Sequence, residues 1–266
     1  MPIFEHDAIS LHYEMSGEGT PLLLIAGMMS DSASWAPLVP LLEPHFTIIR
    51  PDNRTTGRTT PWDAPASVDI FASDCAALLN DLDLGPAHVM GHSLGGMIAT
   101  RLASAHPLVV KTLTLAASAP LRLERNVALF KSLLVIRQSN AAPDAWLNAL
   151  FPWLFSPSLY DIPGAITQAA TASLAYPFAQ STEAMAHQIA ALDGYVPENI
   201  TELTCPAQAI LAEGDLILPA DLALPTLGDI PTHLISDAGH SIHWDAPDVV
   251  AGHLCRFITL HEEVAT

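Results

Sequence analysis

The sequence has few charged residues and few cysteines, and both shortages narrow the classes of protein to which it can belong. Only 14% of its residues are charged, and 10 Lys and Arg stand against 28 Asp and Glu, which gives a net charge of -18. Such a surface repels nucleic acid and anionic lipid, so we expect neither as a partner. The cysteines, Cys75, Cys205 and Cys255, are spaced as in neither a disulfide framework nor a metal site, which agrees with a reducing compartment.

Long apolar runs are also missing. Those present, such as residues 22–26, fall far short of the ~20 residues that a membrane helix needs. Near the amino terminus, the acidic residues Glu5 and Asp7 stand where a signal peptide carries positive charge, so we expect a cytoplasmic protein without a membrane span. Apolar residues are nevertheless abundant: 50% of the 266 residues are hydrophobic, which is enough for one large globular core.

The pattern along the chain changes twice. Over residues 1–120, short apolar runs alternate with amphipathic stretches, which predicts a mostly parallel sheet with helices on both faces. Over residues 121–199, prolines interrupt segments rich in Ala, Leu and Trp, which predicts an inserted cap of short helices. Strand patterns return at 207–211 and 232–235. We therefore predict an α/β core built from residues 1–120 and 200–266, with the helical cap inserted between them.

A G-x-S-x-G motif occupies residues 91–95, between a predicted strand that ends at Met90 and a predicted helix that begins at Leu94. In this context the motif is typical of a nucleophile elbow, a turn so tight that only glycine fits beside the serine. The turn would hold the Ser93 side chain above the sheet. The alternative interpretation is a glycine-rich turn with an incidental serine.

These features resemble the α/β-hydrolase family, and the resemblance covers nearly the whole chain. In that family an acid follows a strand after the nucleophile, and a histidine follows the last strand. Residues 213–215 (Glu-Gly-Asp) look like the family's acid turn, and residues 237–240 (Asp-Ala-Gly-His) look like its histidine loop. The resemblance implies Asp215 as the acid and His240 as the base, with His243 as an alternative base.

Such a trio has a chemical reason. A serine hydroxyl is a poor nucleophile at neutral pH until a neutral imidazole accepts its proton, and a carboxylate fixes the tautomer of that imidazole. We therefore expect Ser93, His240 and Asp215 to act together. The nearby Glu213 and Asp237 are interpreted as solvated or hydrogen-bonding loop residues.

The oxyanion of a tetrahedral intermediate needs two backbone N–H donors. In the family one donor is the residue after the serine, which is Leu94 here. The other lies in a His-Gly-x loop, which residues 26–29 (Ala-Gly-Met-Met) resemble, with Ala26 in place of the histidine. The resemblance implies Met28 as the second donor.

No motif predicts a cofactor or a metal. The spacing of glycines at 91–95 is not that of a dinucleotide-binding loop, and the sequence has no Walker motif. The pair His240 and His243 lacks a third ligand. We therefore expect neither a cofactor nor a metal.

The substrate is predicted from the cap, which is rich in aromatic residues and has no Lys or Arg between Arg137 and Arg256. We expect an apolar pocket, a neutral ester or lactone as the small-molecule substrate, and an acyl-enzyme intermediate. The predicted pocket residues are Met29, His92, Trp153 and Leu216.

Two alternatives remain. One is an enol-lactonase or carbon–carbon bond hydrolase of aromatic degradation, whose carboxylate-bearing substrates call for a basic residue near the cap's entry. The candidates there are Arg122, Arg125, Lys131 and Arg137. The other alternative is a ligand-binding protein of the same fold that performs no catalysis.

Overall fold

The computed structural model describes residues 2–263, which contain one eight-stranded sheet. Its strands are β1 (Ile3–His6), β2 (Ile9–Ser16), β3 (Thr20–Ile25), β4 (Phe46–Pro51), β5 (Ala87–His92), β6 (Val110–Ala116), β7 (Ala207–Ala212) and β8 (Thr232–Ile235). Their order across the sheet is β1-β2-β4-β3-β5-β6-β7-β8. The pairs β1–β2 and β2–β4 are antiparallel, and the pairs from β4 through to β8 are parallel. The predicted mostly parallel sheet is confirmed.

The central strands are buried on both faces, which explains why their sequences do not alternate between polar and apolar residues. All six residues of β5 and all six of β7 are buried. A parallel sheet covered by helices on both sides excludes water from both faces, so alternation of polar and apolar residues is lost. In the register of the sheet, Ile25 lies opposite Gly91, and Gly91 lies opposite Leu115. The carboxyl ends of β3, β5 and β6 therefore meet at one edge.

The α-helices, in chain order, are α1 (Val39–Leu42), α2 (Val68–Leu82), α3 (Leu94–Ala105), α4 (Glu124–Gln138), α5 (Ala145–Leu154), α6 (Pro157–Tyr160), α7 (Ala165–Ala175), α8 (Thr182–Asp193), α9 (Ala220–Ala223), α10 (Ile242–Asp245) and α11 (Pro247–Glu263). Phe71 of α2 and Leu102 of α3 belong to one buried apolar cluster, and Leu42 of α1 and Leu254 of α11 belong to another. Helices thus cover both faces of the sheet. Among residues 2–263, no helix has the length and apolar character to cross a membrane.

Helices α4 to α8 join β6 to β7, and residues 124–193 are called the helical insertion from here on. Helix α4 packs against α5 and α8. Phe130, Leu150 and Met185 of the insertion belong to the same buried cluster as Leu23 of the sheet. Insertion and sheet therefore share a continuous apolar core. The division into a core and a cap at residues 121 and 199 stays a prediction.

Candidate active site

Ser93 lies in the turn between β5 and α3 and has an unusual backbone conformation. Its φ is 53° and its ψ is -121°, a region that residues with a side chain rarely occupy. Neighbouring backbone holds it there: Ser93 N–H donates to the carbonyl of Ala116 at 3.0 Å, and Ser118 Oγ donates to the carbonyl of Ser93 at 2.7 Å. Ala116 is the last residue of β6, and Ser118 follows it two positions later. The end of this strand therefore fixes the position of the serine.

The glycines beside Ser93 are required by close backbone approach. A Cβ atom on Gly91 would fall against the carbonyl of Gly95, and one on Gly95 would fall against the carbonyl of Ile25. Any side chain at either position would push α3 away from the sheet. The glycines of the motif therefore have a steric role, and the serine is the residue that the turn presents.

Asp215 and His240 are in contact just beyond the carboxyl ends of β7 and β8. His240 Nδ1 is 2.8 Å from Asp215 Oδ2, and both residues are 3% exposed. The other carboxylate oxygen, Oδ1, accepts hydrogen bonds from the backbone N–H groups of Ile217 at 2.8 Å and Leu218 at 2.7 Å. Because the carboxylate can only accept, Nδ1 carries the proton in the neutral ring. The second ring nitrogen, Nε2, is then available as an acceptor.

One cavity brings the predicted residues together. It has a volume of about 400 Å³, and both Ser93 and His240 line it. Met28, which is 8% exposed, lies in its wall. A smaller adjoining cavity of about 20 Å³ is lined by Met28, Ser93 and Leu94. Leu94 is the first residue of α3, so its N–H has no acceptor within that helix. Ser93 and Met28 line both cavities, whereas His240 lines the larger one and Leu94 the smaller one.

Two further buried histidines border the site, and their surroundings lower the pKa of both. His92 Nε2 donates to the carbonyl of His240 at 2.9 Å, and the rings of His92 and His243 have centroids 4.4 Å apart. Burial, reinforced by the neighbouring histidines, lowers the pKa of His92 well below 6.5. Burial and His240 lower the pKa of His243 to about 3.

His243 is a poorer candidate for the base than His240. It lines the cavity, but its Nδ1 is buried and has no hydrogen-bond partner among the described residues. No carboxylate therefore orients its ring, whereas His240 is oriented by Asp215.

The cavity corrects two of the four predicted pocket residues. Met29 and His92 line it, whereas Trp153 and Leu216 do not. The side chain of Leu216 is 51% exposed, because the turn that carries Asp215 directs it to solvent. On α5 the cavity is lined by Trp146, Leu147, Leu150, Phe151 and Leu154, and Trp153 is not among the lining residues.

The sequence analysis missed a polar part of the wall. Asp31 lines the cavity, and its Oδ2 accepts a hydrogen bond from the hydroxyl of Tyr176 at 2.9 Å. Burial, with the charge of Asp52 nearby, raises the pKa of Asp31. Tyr176 follows α7, 145 positions along the chain, and no motif spacing connects the two residues. The only local signal in the sequence is that Asp31 precedes Ser32, where an Asp can cap a helix, and Asp31 does cap the 3₁₀-helix that begins at Ser32.

The four cations near the start of the insertion have different surroundings. Arg122 and Lys131 pair with Asp193, and Arg125 donates to the carbonyl of Leu216. Arg137 lines the cavity. Its guanidinium donates to the carbonyl of Gln180 and lies over the ring of Trp146 at 4.7 Å.

Within residues 2–263, no three or more His, Cys, Asp and Glu side chains are grouped so that they could hold a metal ion. The histidines of the site contact one another and aromatic rings instead.

The alpha/beta hydrolase family model matches residues 22–253 of this chain. A putative carbamate hydrolase, RutD, from Azorhizobium caulinodans is 30% identical over 258 residues, which cover 94% of this chain and 95% of that protein. An esterase from Thermogutta terrifontis has a similar structure, with a TM-score of 0.82 at 22% identity over 95% of this chain and 94% of that chain. The enol-lactonase from Burkholderia xenovorans LB400 also has a similar structure, with a TM-score of 0.79 at 21% identity over 97% of this chain and 100% of that chain.

The two solved structures are too distant in sequence to show more than a shared fold. The family match covers most of the chain, and the carbamate hydrolase relative is similar from end to end. Sheet order, serine turn and helical insertion agree with both findings. The protein therefore belongs to the alpha/beta hydrolase family.

Proposed function

We propose that the protein is a serine hydrolase that cleaves a carboxylic ester or a lactone through an acyl-enzyme. The observation that carries this proposal is the contact of Asp215 with His240 at 2.8 Å, beside the cavity that Ser93 and His240 line together. In this assignment Ser93 is the nucleophile, His240 is the general base, and Asp215 orients His240 and stabilises its charged form.

The first half of the reaction forms the acyl-enzyme. Ser93 Oγ attacks the carbonyl carbon while His240 Nε2 takes the hydroxyl proton, which leaves a negative charge on the former carbonyl oxygen. When this intermediate collapses, the bond from carbon to the leaving oxygen breaks, and His240 returns the proton to that oxygen. An alcohol leaves in the case of an ester, and in the case of a lactone the new hydroxyl stays attached to the acyl chain.

The second half releases the acid. A water molecule gives one proton to His240 Nε2 and its oxygen attacks the acyl carbon, and the second intermediate collapses with return of that proton to Ser93 Oγ. Both intermediates carry an oxyanion. We assign its stabilisation to the backbone N–H groups of Met28 and Leu94, which border the same small cavity as Ser93.

The cavity wall favours a neutral apolar acyl group. Its apolar residues come mainly from α4, α5 and the segment after α7, and they include Phe130, Trp146, Leu147, Leu150, Phe151, Leu154, Phe155 and Phe178. Burying apolar substrate surface against them gains about 25 cal/mol for each Å² removed from water. The buried carboxyl group of Asp31 in the same wall disfavours an anionic substrate nearby.

One observation supports a second candidate, a lactone or diketone that bears a carboxylate. Arg137 lines the cavity, and no described carboxylate lies within ion-pair distance of its guanidinium. Its hydrogen bonds go to the carbonyls of Ser181 and Gln180 and to Met185 Sδ, and because none of these partners is charged, its positive charge is available to an anion. Burial lowers the pKa of Arg137, but a guanidinium keeps its charge at neutral pH.

Two experiments test these proposals. A fluorophosphonate probe should label the wild-type protein and should not label Ser93→Ala, whereas a ligand-binding protein without catalysis would leave the probe unreacted. The second experiment compares kcat/KM for p-nitrophenyl acetate, butyrate and octanoate, δ-valerolactone, a phenyl carbamate and the p-nitrophenyl half-ester of succinate. We expect preference for the neutral esters or the lactone. Preference for the half-ester would contradict the neutral-substrate proposal.

A further inference from the structure

The loop that carries Met28 is held on the sheet side through its carbonyl groups. The carbonyl of Ala26 accepts from Asn53 Nδ2 at 3.1 Å, and that of Gly27 accepts from Ser30 N–H at 3.4 Å. The carbonyl of Met28 accepts from Ser30 Oγ at 3.3 Å. The methyl side chain of Ala26 has no atom that could add a further hydrogen bond. None of these bonds involves the N–H of Met29, at the other end of the Met28–Met29 peptide, so another part of the chain must hold it.

That N–H belongs to Met29, a residue with a φ of 58°, which side-chain-bearing residues rarely adopt. Met29 N–H donates at 2.8 Å to Oε1 of Gln188, which lies on α8 of the helical insertion and is 0% exposed. Such a conformation persists only when the surroundings fix it. The contact joins residues 159 positions apart in the chain.

The acceptor is itself fixed in place. Gln180 Nε2 lies 3.1 Å from the same Gln188 Oε1, and it also donates to the carbonyl of Thr55 at 2.8 Å. Gln180 is buried, with 8% of its surface exposed. The two amides therefore link α8 to a sheet-side loop and to Met29 at once. Gln188 Oε1 thus has two donors, Gln180 Nε2 and Met29 N–H, and an acceptor already fixed by the first loses little freedom when it takes the second.

We propose that Gln188 is a positioning residue for the oxyanion hole: it fixes the Met28–Met29 peptide, and because that peptide adjoins the Gly27–Met28 peptide at the Cα of Met28, it also restricts the direction of Met28 N–H toward the oxyanion. This inference rests on the proposed serine hydrolase reaction. Ser30 Oγ holds the carbonyl side of that peptide, and Gln188 holds its N–H side. The helical insertion thus completes a part of the catalytic geometry that the sheet alone leaves open.

The consequence is an effect on rate rather than on substrate binding. The oxyanion exists only in the intermediates and the transition states, so a misdirected donor lowers kcat while KM changes little. Complete loss of one donor costs on the order of 10²–10³ in kcat in a related enzyme. Loosening the loop without removing the donor should cost less, about 10-fold to 100-fold.

The test compares three variants of the full chain on p-nitrophenyl butyrate. Gln188→Met keeps the length of the side chain and removes the acceptor, and Gln188→Glu keeps an acceptor oxygen. Gln208→Met is the matched control, because Gln208 on β7 is also 0% exposed and its amide makes a hydrogen bond to Thr114 at 3.1 Å, away from the site. We expect kcat to fall about 10-fold to 100-fold in Gln188→Met.

The other readouts separate positioning from folding. KM in Gln188→Met should stay within about threefold of wild type, and Gln188→Glu should recover most of the lost kcat. Gln208→Met should lower the Tm without lowering kcat per fluorophosphonate-reactive site. A trifluoromethyl ketone, whose adduct with serine carries an oxyanion, should bind Gln188→Met more weakly by the factor lost in kcat/KM.

Each outcome decides between the proposals. An inactive, unlabelled wild-type protein would refute the proposed function itself. An active wild type with an unchanged kcat in Gln188→Met, or a loss that appears in KM, would refute the positioning role alone. If Gln188→Met fails to fold, Gln188→Asn replaces it: its shorter amide withdraws the acceptor from Met29, and the same loss of kcat is expected.

Discussion

The substitution Asp215→Asn tests the proposed reaction at the group that the structure holds most firmly. Asp215 accepts three hydrogen bonds, from His240 Nδ1 and from the N–H groups of Ile217 and Leu218, at 2.7 to 2.8 Å. An asparagine of the same shape can keep its carbonyl oxygen on the two backbone donors. Its NH₂ group then faces His240 Nδ1, and that nitrogen must become an acceptor. The ring proton moves to Nε2, which can no longer accept the proton of Ser93.

The size of the effect follows from the tautomer. The analogous substitution in a related triad costs ~10⁴ in kcat, and we expect a loss of that order. At about 1.36 kcal/mol for each factor of ten, the barrier rises by about 5.4 kcal/mol. Because the substitution preserves volume and two of the three hydrogen bonds, the fold should remain intact.

The assay measures kcat on p-nitrophenyl butyrate, with circular dichroism to check folding. Glu213→Gln and Asp237→Asn are the controls, because both residues are exposed and both lie on the loops that carry Asp215 and His240. Both controls should retain activity within a few-fold of wild type. If Asp215→Asn stayed within about tenfold of wild type, or if Glu213→Gln were the slow variant, the assignment of the acid would be wrong.

Three other predictions concern the same cavity. Ser93→Ala should fold normally and lose activity by about a thousandfold or more, and retention of more than a few per cent of the wild-type rate would contradict the nucleophile assignment. Since burial lowers the pKa of His243 from 6.5 to about 3, the unfolded chain binds this proton first on acidification. The contribution of His243 to the free energy of unfolding should therefore be largest above pH 6.5 and fall by about 1.4 kcal/mol per pH unit below it. Urea unfolding at pH 6.5 and at pH 4.5 measures this loss of stability, which should be smaller in His243→Phe. Arg137→Met should leave kcat/KM for p-nitrophenyl butyrate within a few-fold of wild type, as should the exposed control Lys131→Met, whereas a selective loss on the succinate half-ester would identify Arg137 as an anion site.

The parts of the site that the sequence predicted are those whose geometry is local. The local sequence around Ser93, with a buried strand before it, a helix after it and a glycine two positions away on each side, is enough to predict the backbone conformation of the turn. The structure gives Ser93 the strained φ that such a turn requires. Asp215 and His240 each follow a strand, and parallel strands deliver their carboxyl ends to one edge of the sheet. The topology therefore brings together residues that the sequence separates by more than a hundred positions.

The parts that the sequence did not predict depend on how the helical insertion packs. The contact of Tyr176 with Asp31 and that of Gln188 with Met29 join segments with no shared periodicity. Trp153 shows the same difficulty in reverse. The aromatic composition of the cap favoured it as a pocket residue, but Trp146, which lies seven residues earlier and on nearly the same side of α5, lines the cavity and Trp153 does not. The position of each residue relative to the cavity depends on tertiary packing.

Strand β1 has no recognisable pattern in the sequence, for a different reason. β1 spans four residues at the edge of the sheet, pairs only with β2, and alternates exposed and half-buried positions. The pattern of so short a segment does not differ from that of an exposed loop. Its position is set by the antiparallel register that places Ile3 opposite His12. Nothing in the proposed site depends on it.

The sheet carries the residues of the proposed chemistry, and the helical insertion supplies most of the wall that would set the proposed specificity. Ser93, Asp215 and His240 lie on turns that the sheet fixes, whereas most of the apolar wall belongs to the insertion. Changes in the insertion should therefore alter substrate preference while the dependence on Ser93 stays the same. Hydrogen bonds nevertheless join the two parts: the amide of Gln188 reaches from α8 to the loop of the oxyanion donor, and Leu154 of α5 accepts from Ser241 N–H beside His240. A variant that reshapes the wall but leaves Gln188 in place should change KM between substrates, and one that displaces α8 should lower kcat on all of them.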